Sequence, residues 1–314
     1  MTDALFADRL LDAIARKRAP ICVGIDPMFD ALPDAVAGPV DKRNANDARA
    51  VVDAFYAFCS GVLEVVAPLV PIVKLQSAYF EQFHAEGVEA YYSLIHDARQ
   101  LGLLVIGDVK RGDIGSTSAA YAQGHLTDPA NADEDELASP DAITVNPMLG
   151  LDTLEPFLGV AKENNKGLFV LLRTSNPGSA HLQDAKLADG RTWSEMLADS
   201  LAPIAASEGL VGTSGFSSLG MVVGATQPHT MASMRQRLPK SIFLLPGYGT
   251  QGATADMTRT AFDADGRGAI VSASRSILYA HRDPKHAAAS GGDWKKAVEL
   301  ATKAMAEDLR AVVG

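Results

Sequence analysis

Long hydrophobic runs are missing from this chain: no window comes near the roughly 18 to 20 consecutive apolar residues that a bilayer-spanning helix needs. Cysteine is scarce. Cys22 and Cys59 are the only two, too few for a disulfide framework, and Cys22 lies inside an apolar run, which points to a reducing cytosol. Basic residues are outnumbered, 28 Lys and Arg against 38 Asp and Glu, for a formal net charge of −10. That balance argues against non-specific nucleic-acid binding, which depends on an excess of cations over phosphates. It leaves room for an anionic small ligand held by local potential. The amino terminus, Met1 to Leu10, is amphipathic and carries Asp3 and Asp8, so it lacks the layout of a secretory signal. The seven histidines are scattered, with no HExxH or paired-ligand spacing, and no G-x-S-x-G elbow is present. The expectation is a soluble, cytoplasmic protein with no metal centre, no cofactor and no membrane or nucleic-acid partner.

What the chain does have is ordinary globular composition, 47% hydrophobic and 21% charged over 314 residues, enough for one large α/β barrel. Short apolar runs recur at Ile21–Ile25, Ile72–Leu75, Leu103–Val109, Ala142–Val145, Leu168–Leu172, Met221–Val223, Ile242–Leu245 and Ala269–Ser272. Continuous apolar runs of this length read as strands of a parallel sheet buried on both faces. Helical patterns fill most gaps, such as Ala48–Val66, Val88–Leu101, Ser116–Gln123, Leu154–Glu163, Trp193–Glu208 and Ala253–Ala264, after an amino-terminal helix over residues 3–17. Eight strands, each followed by a helix, predict a (β/α)8 TIM barrel, with a doubly wound open sheet as the competitor. No linker divides the chain, so residues 1–314 are expected to form one domain. Loop insertions are placed at about 33–46, 125–141 and 176–191. The acidic run Asp133–Glu136 in the second lacks the spacing of a calcium loop and reads as solvated surface.

In a barrel, functional groups belong at the carboxyl ends of strands, and charged residues fall there repeatedly. The third run leads into Asp108-Val-Lys110-Arg-Gly-Asp113. Strand alternation turns Asp108 and Lys110 the same way, with Asp113 beyond, in the loop. A lone Asp-x-Lys is most often an incidental ion pair. Here, however, the first strand ends in Asp26, the second contains Lys74, and the fourth and fifth end in Asn146 and Arg173-Thr174-Ser175-Asn176. One shared pocket accounts for all of them. After the seventh strand, Gly247, Gly249 and Gly252 satisfy G-x-G-x-x-G, but too late in the chain and without the acid a dinucleotide site places after its second strand. A phosphate cradle fits better, since barrels bind phosphate after strands seven and eight and Arg275 follows the eighth. Glycine backbone approaches an anion closely, and a following helix adds its positive end.

These residues resemble a known family. Asp108-x-Lys110-x-x-Asp113-Ile114-x-x-Thr117 is similar to the signature of the orotidine 5′-phosphate decarboxylases. Gly-Ile-Asp26, Val-Lys74, Pro-Gly-Tyr-Gly-Thr-Gln251-Gly and Ser-Arg275-Ser match in family order, and the insertions look like its longer bacterial branch, type 2. The resemblance implies decarboxylation of orotidine 5′-phosphate to UMP, the last step of UMP synthesis, by a homodimer with shared active sites. It implies that Asp26 and Lys74 hold the ribose hydroxyls and that Asp108 sits beside the substrate carboxylate. Lys110 would be the proton donor, with Lys74 in the same charge network. Asp113 and Thr117 would reach the neighbouring subunit's site. Ser175, or Thr174 beside it, would contact the pyrimidine; Gln251 would bridge pyrimidine and phosphate, and Arg275 would bind phosphate. The alternatives are a magnesium-dependent relative acting on a sugar phosphate (a hexulose-phosphate synthase or keto-gulonate-phosphate decarboxylase), a Schiff-base aldolase using Lys110 or Lys74, and a non-catalytic nucleotide-binding barrel.

Overall fold

A computed structural model describes residues 4–37, 47–130, 136–250 and 252–313. Eight parallel strands close into a barrel in sequence order: β1 (Ile21–Ile25), β2 (Ile72–Gln76), β3 (Leu104–Arg111), β4 (Ala142–Val145), β5 (Gly167–Arg173), β6 (Ser217–Val223), β7 (Ser241–Pro246) and β8 (Ala269–Ala273). All eight expected strands are present and the open sheet is excluded, because β1 pairs with both β2 and β8.

Strand periodicity sorts each strand into two sets. Residues such as Val23, Val73, Val105, Ile143, Val170, Met221, Leu245 and Val271 face outward and pack under the helices. The alternate set, Cys22, Ile72, Ile106, Ala142, Phe169, Ile242 and Ile270, fills the interior of the barrel. The amino-terminal helix Phe6–Lys17 closes the base. Phe6, Ala7 and Leu10 join the interior cluster, and the Phe6 ring meets Phe169 edge-on with centroids 6.0 Å apart. Asp8 accepts from the backbone N–H groups of Thr213 and Ser214 at 2.9 and 2.8 Å, pinning the helix below β6.

The outer layer follows the expected order, with caps that the sequence supplies. Asp47 accepts from the N–H groups of Arg49 and Ala50 to start the helix Ala48–Val66, and Thr192 with Glu195 forms a capping box on Trp193–Ala205. The helix expected over Ala253–Ala264 is instead two short turns, Ala255–Thr258 and Arg259–Ala261. Further helices, among them Pro228–Arg237, Pro284–Ser290 and Trp294–Val313, complete the layer. No helix among the described residues is long and apolar enough to cross a membrane. Residues 38–46 of the first insertion and 131–135 of the second lie outside the described residues. The third contains the turn of helix Ser179–Gln183.

Candidate active site

One step further along β2, β3, β4 and β8 the inward-facing set changes from apolar to polar, while β5, β6 and β7 keep Leu171, Val222 and Leu244 in the cleft wall. Above Cys22, Ile72, Ile106, Ala142 and Ile270 come Gly24, Lys74, Asp108, Thr144 and Ser272, then Asp26, Gln76, Lys110, Asn146 and Ser274. Parity therefore places the charged groups in the barrel's mouth, where a cleft of about 660 Å³ is lined by residues from most of the strand ends.

Asp108 is the hub, only 6% exposed. Its Oδ2 accepts from Lys74 Nζ at 2.8 Å and Gln76 Nε2 at 3.0 Å; its Oδ1 accepts from Lys110 Nζ at 2.6 Å and Thr144 Oγ1 at 2.9 Å. Burial alone would push this carboxyl up, but Lys74 and Lys110 outweigh it and hold the group well below the usual carboxylate range. Burial likewise opposes a charge on Lys74, and Asp108 and then Asp26 reverse this, raising it above the usual lysine value. The Asp26 Oδ1 lies 3.7 Å from Lys74 Nζ. Tyr279 anchors the end of β1, its hydroxyl donating to the Asp26 carbonyl at 3.0 Å and accepting the Met28 N–H at 2.7 Å. Burial pushes the Cys22 thiol up to about 12, which removes it as a nucleophile.

Ser175, Gly247 and Arg275 line the same cleft. Gly247, Gly249 and Gly252 all have positive φ, 114°, 73° and 88°, the backbone region that favours glycine. The Gly249 and Gly252 N–H groups are engaged within the loop, on the carbonyls of Ala253 and Gly249. Those two glycines thus shape the turn, and Gly247, Tyr248 and Thr250 supply its cleft-facing part. Gln251 lies outside the described residues. Asp113 and Thr117 are not in this cleft. Asp113 Oδ1 accepts the Ile114 N–H at 2.7 Å just before the helix Gly115–Leu126, and Thr117 is exposed on that helix. Among the described residues, no three His, Cys, Asp or Glu side chains converge as metal ligands. Gln76 and Thr144 were not singled out from the sequence; the inward parity they share with Lys74 and Asp108 is the signal that finds them.

A closed parallel barrel with a buried lysine–carboxylate network at the carboxyl ends of its strands places this protein among the (β/α)8 enzymes. Sequence comparison narrows the class. The profile of the orotidine 5′-phosphate decarboxylase / HUMPS family matches residues 20–290, and the chain belongs to that family. An orotidine 5′-phosphate decarboxylase of Rhodopirellula baltica is 42% identical over 306 residues, covering 97% of this chain and 99% of that protein. One from Deinococcus radiodurans is 40% identical over 275 residues, 88% of this chain and 89% of that one. The solved structure of Leishmania donovani OMP decarboxylase superposes with a TM-score of 0.72 at 29% identity, covering 98% of each chain.

Proposed function

We propose that this chain is a carboxy-lyase that converts orotidine 5′-phosphate to UMP and CO2, the final step of de novo pyrimidine nucleotide synthesis. The observation that carries this reading is the Lys74–Asp108–Lys110 network, with both lysines on one buried carboxylate at 2.8 and 2.6 Å. Breaking the C6–CO2 bond leaves an electron pair on C6 with no conjugated sink to receive it. The site must stabilise that carbanion by charge and then protonate it. An ammonium fixed beside C6 does both, giving its proton to C6 and recovering one from solvent. Asp108, beside the substrate carboxylate, keeps Lys110 oriented. Lys74 and Asp26 hold the ribose hydroxyls, Ser175 meets the pyrimidine, and Arg275 with the Gly247 loop and Gln251 takes the phosphate. Binding energy from these remote groups then serves the transition state.

The reading includes a homodimer in the cytoplasm, each subunit folded as one barrel unit with three insertions. Asp113 and Thr117 lie beside the exposed side chain of Ile114 (62%), and the next loop exposes Met148 (56%) and Leu149 (57%). A second copy covering these apolar side chains would carry Asp113 and Thr117 into its neighbour's cleft. The test is to treat the protein with EDTA, add orotidine 5′-phosphate and follow the loss of orotate absorbance. Conversion to UMP supports the proposal; no conversion, with magnesium-restored activity on a sugar phosphate, sinks it.

A further inference from the structure

Thr144 is buried in β4, opposite an irregular stretch of β3. The ladder pairs Gly107 with Ile143 and next pairs Arg111 with Val145, so β3 advances four residues while β4 advances two. Lys110 lies in this extra length with φ +46°, a left-handed conformation that a residue with a Cβ keeps only where its surroundings impose it. Thr144 Oγ1 accepts the Lys110 backbone N–H at 2.9 Å and donates its own proton to Asp108 Oδ1, also at 2.9 Å. The direction of both bonds is forced, because an amide N–H only donates and a carboxylate only accepts. The same Oδ1 receives Lys110 Nζ at 2.6 Å. One hydroxyl therefore closes a ring with the backbone of Lys110, its ammonium and the Asp108 carboxylate.

We propose that Thr144 is a positioning residue for the decarboxylation proposed above, on which this inference rests. It holds the Lys110 backbone in its left-handed turn and fixes the Asp108 oxygen that orients the ammonium, so that the proton is presented at one place in the cleft. The role requires a group that donates and accepts at once. Serine has it and valine, of nearly threonine's shape, has neither half.

The experiment compares wild type, Thr144→Val and Thr144→Ser for kcat and KM on orotidine 5′-phosphate, UMP affinity and urea midpoint. A donor displaced by about an ångström loses on the order of a hundredfold in rate, so valine should lower kcat about 10- to 100-fold. UMP affinity should stay within about threefold and serine should restore most of kcat, as expected of an effect on proton placement and not on binding. If the valine variant does not fold, Thr144→Ala, which also lacks both donor and acceptor, is read by the same criteria. Wild-type kcat in the valine or alanine variant, equal loss in the serine variant, or a loss confined to KM overturns the Thr144 assignment while leaving the decarboxylase standing. A wild-type protein that leaves orotidine 5′-phosphate unchanged overturns both.

Discussion

Arg173, at the end of β5, and Asp184, eleven residues on, form a two-point ion pair, Nε to Oδ1 and Nη2 to Oδ2, both at 2.8 Å. The guanidinium also donates to Ser179 Oγ at 2.6 Å and to the Thr174 carbonyl. The third insertion is thereby fastened to the barrel, and it sets Leu182 and Gln183 in the cleft wall. Gln183 Oε1 accepts the Thr174 N–H at 2.8 Å, next to Ser175. Removing one partner strands a buried arginine. Asp184→Asn should cost about 2–3 kcal/mol, somewhat less than a fully buried pair because Asp184 is partly exposed. It should also raise KM for orotidine 5′-phosphate. Urea unfolding and steady-state kinetics check both, and an unchanged KM would detach the insertion from substrate binding.

Lys110→Ala should lower turnover by about a thousandfold or more, the scale of losing both proton donor and counter-charge, while UMP still raises the thermal midpoint. Turnover near wild type would refute the donor assignment.

Arg275→Ala should reduce kcat/KM for orotidine 5′-phosphate by about 10- to 100-fold, the worth of one or two charge-assisted hydrogen bonds. The sharper check is orotidine without its phosphate, whose slow turnover should be the same in both proteins. Equal losses on the two substrates would move Arg275 away from the phosphate.

Shared sites are tested by mixing. Lys110→Ala and Asp113→Ala should each be nearly inactive alone. If Asp113 serves its neighbour's cleft, exchanging subunits between them yields heterodimers with one intact site, and about a quarter of wild-type activity returns. No recovery after verified exchange would place Asp113 outside the partner's site.

Asp128, in the second insertion, is contacted by Arg99 at 2.8 Å, Lys166 at 3.5 Å and the Ser139 hydroxyl at 2.7 Å. Burial pushes its carboxyl up, but the Ser139 hydrogen bond and Lys166 prevail and bring it down to about 2 from 3.8. The folded state thus binds fewer protons than the unfolded state between those values. The stabilisation is complete above about pH 4 and is lost as the pH falls towards 2. Because the side chain is about a third exposed, its contribution is about 1–2 kcal/mol. The stability gap between wild type and Asp128→Asn should therefore narrow from pH 5 to pH 3 in urea titrations; a constant gap would show that Asp128 does not titrate there.

The barrel was legible because strands buried on both faces carry uninterrupted apolar runs. Ile21–Ile25 and Ala142–Val145 begin and end where the sequence places them. β6 starts four residues before its expected Met221, since Ser217, Ser218 and Gly220 dilute the apolar signal. The Ala253–Ala264 pattern has helical spacing, yet short turns replace the helix. Lys74, Asp108 and Lys110 stood out by charge. Gln76 and Thr144 did not, because a neutral side chain two places from a lysine or an asparagine is unremarkable until the barrel closes and brings it to the same carboxylate.

Because the Phe6–Lys17 helix is packed into the base of the barrel, the molecule is a blind well and not a tunnel. Whatever enters over the Gly247 loop has the same route out. In the proposed reaction the gas is liberated beside Asp108, buried within the cleft. Its escape then depends on the mouth that the nucleotide also uses.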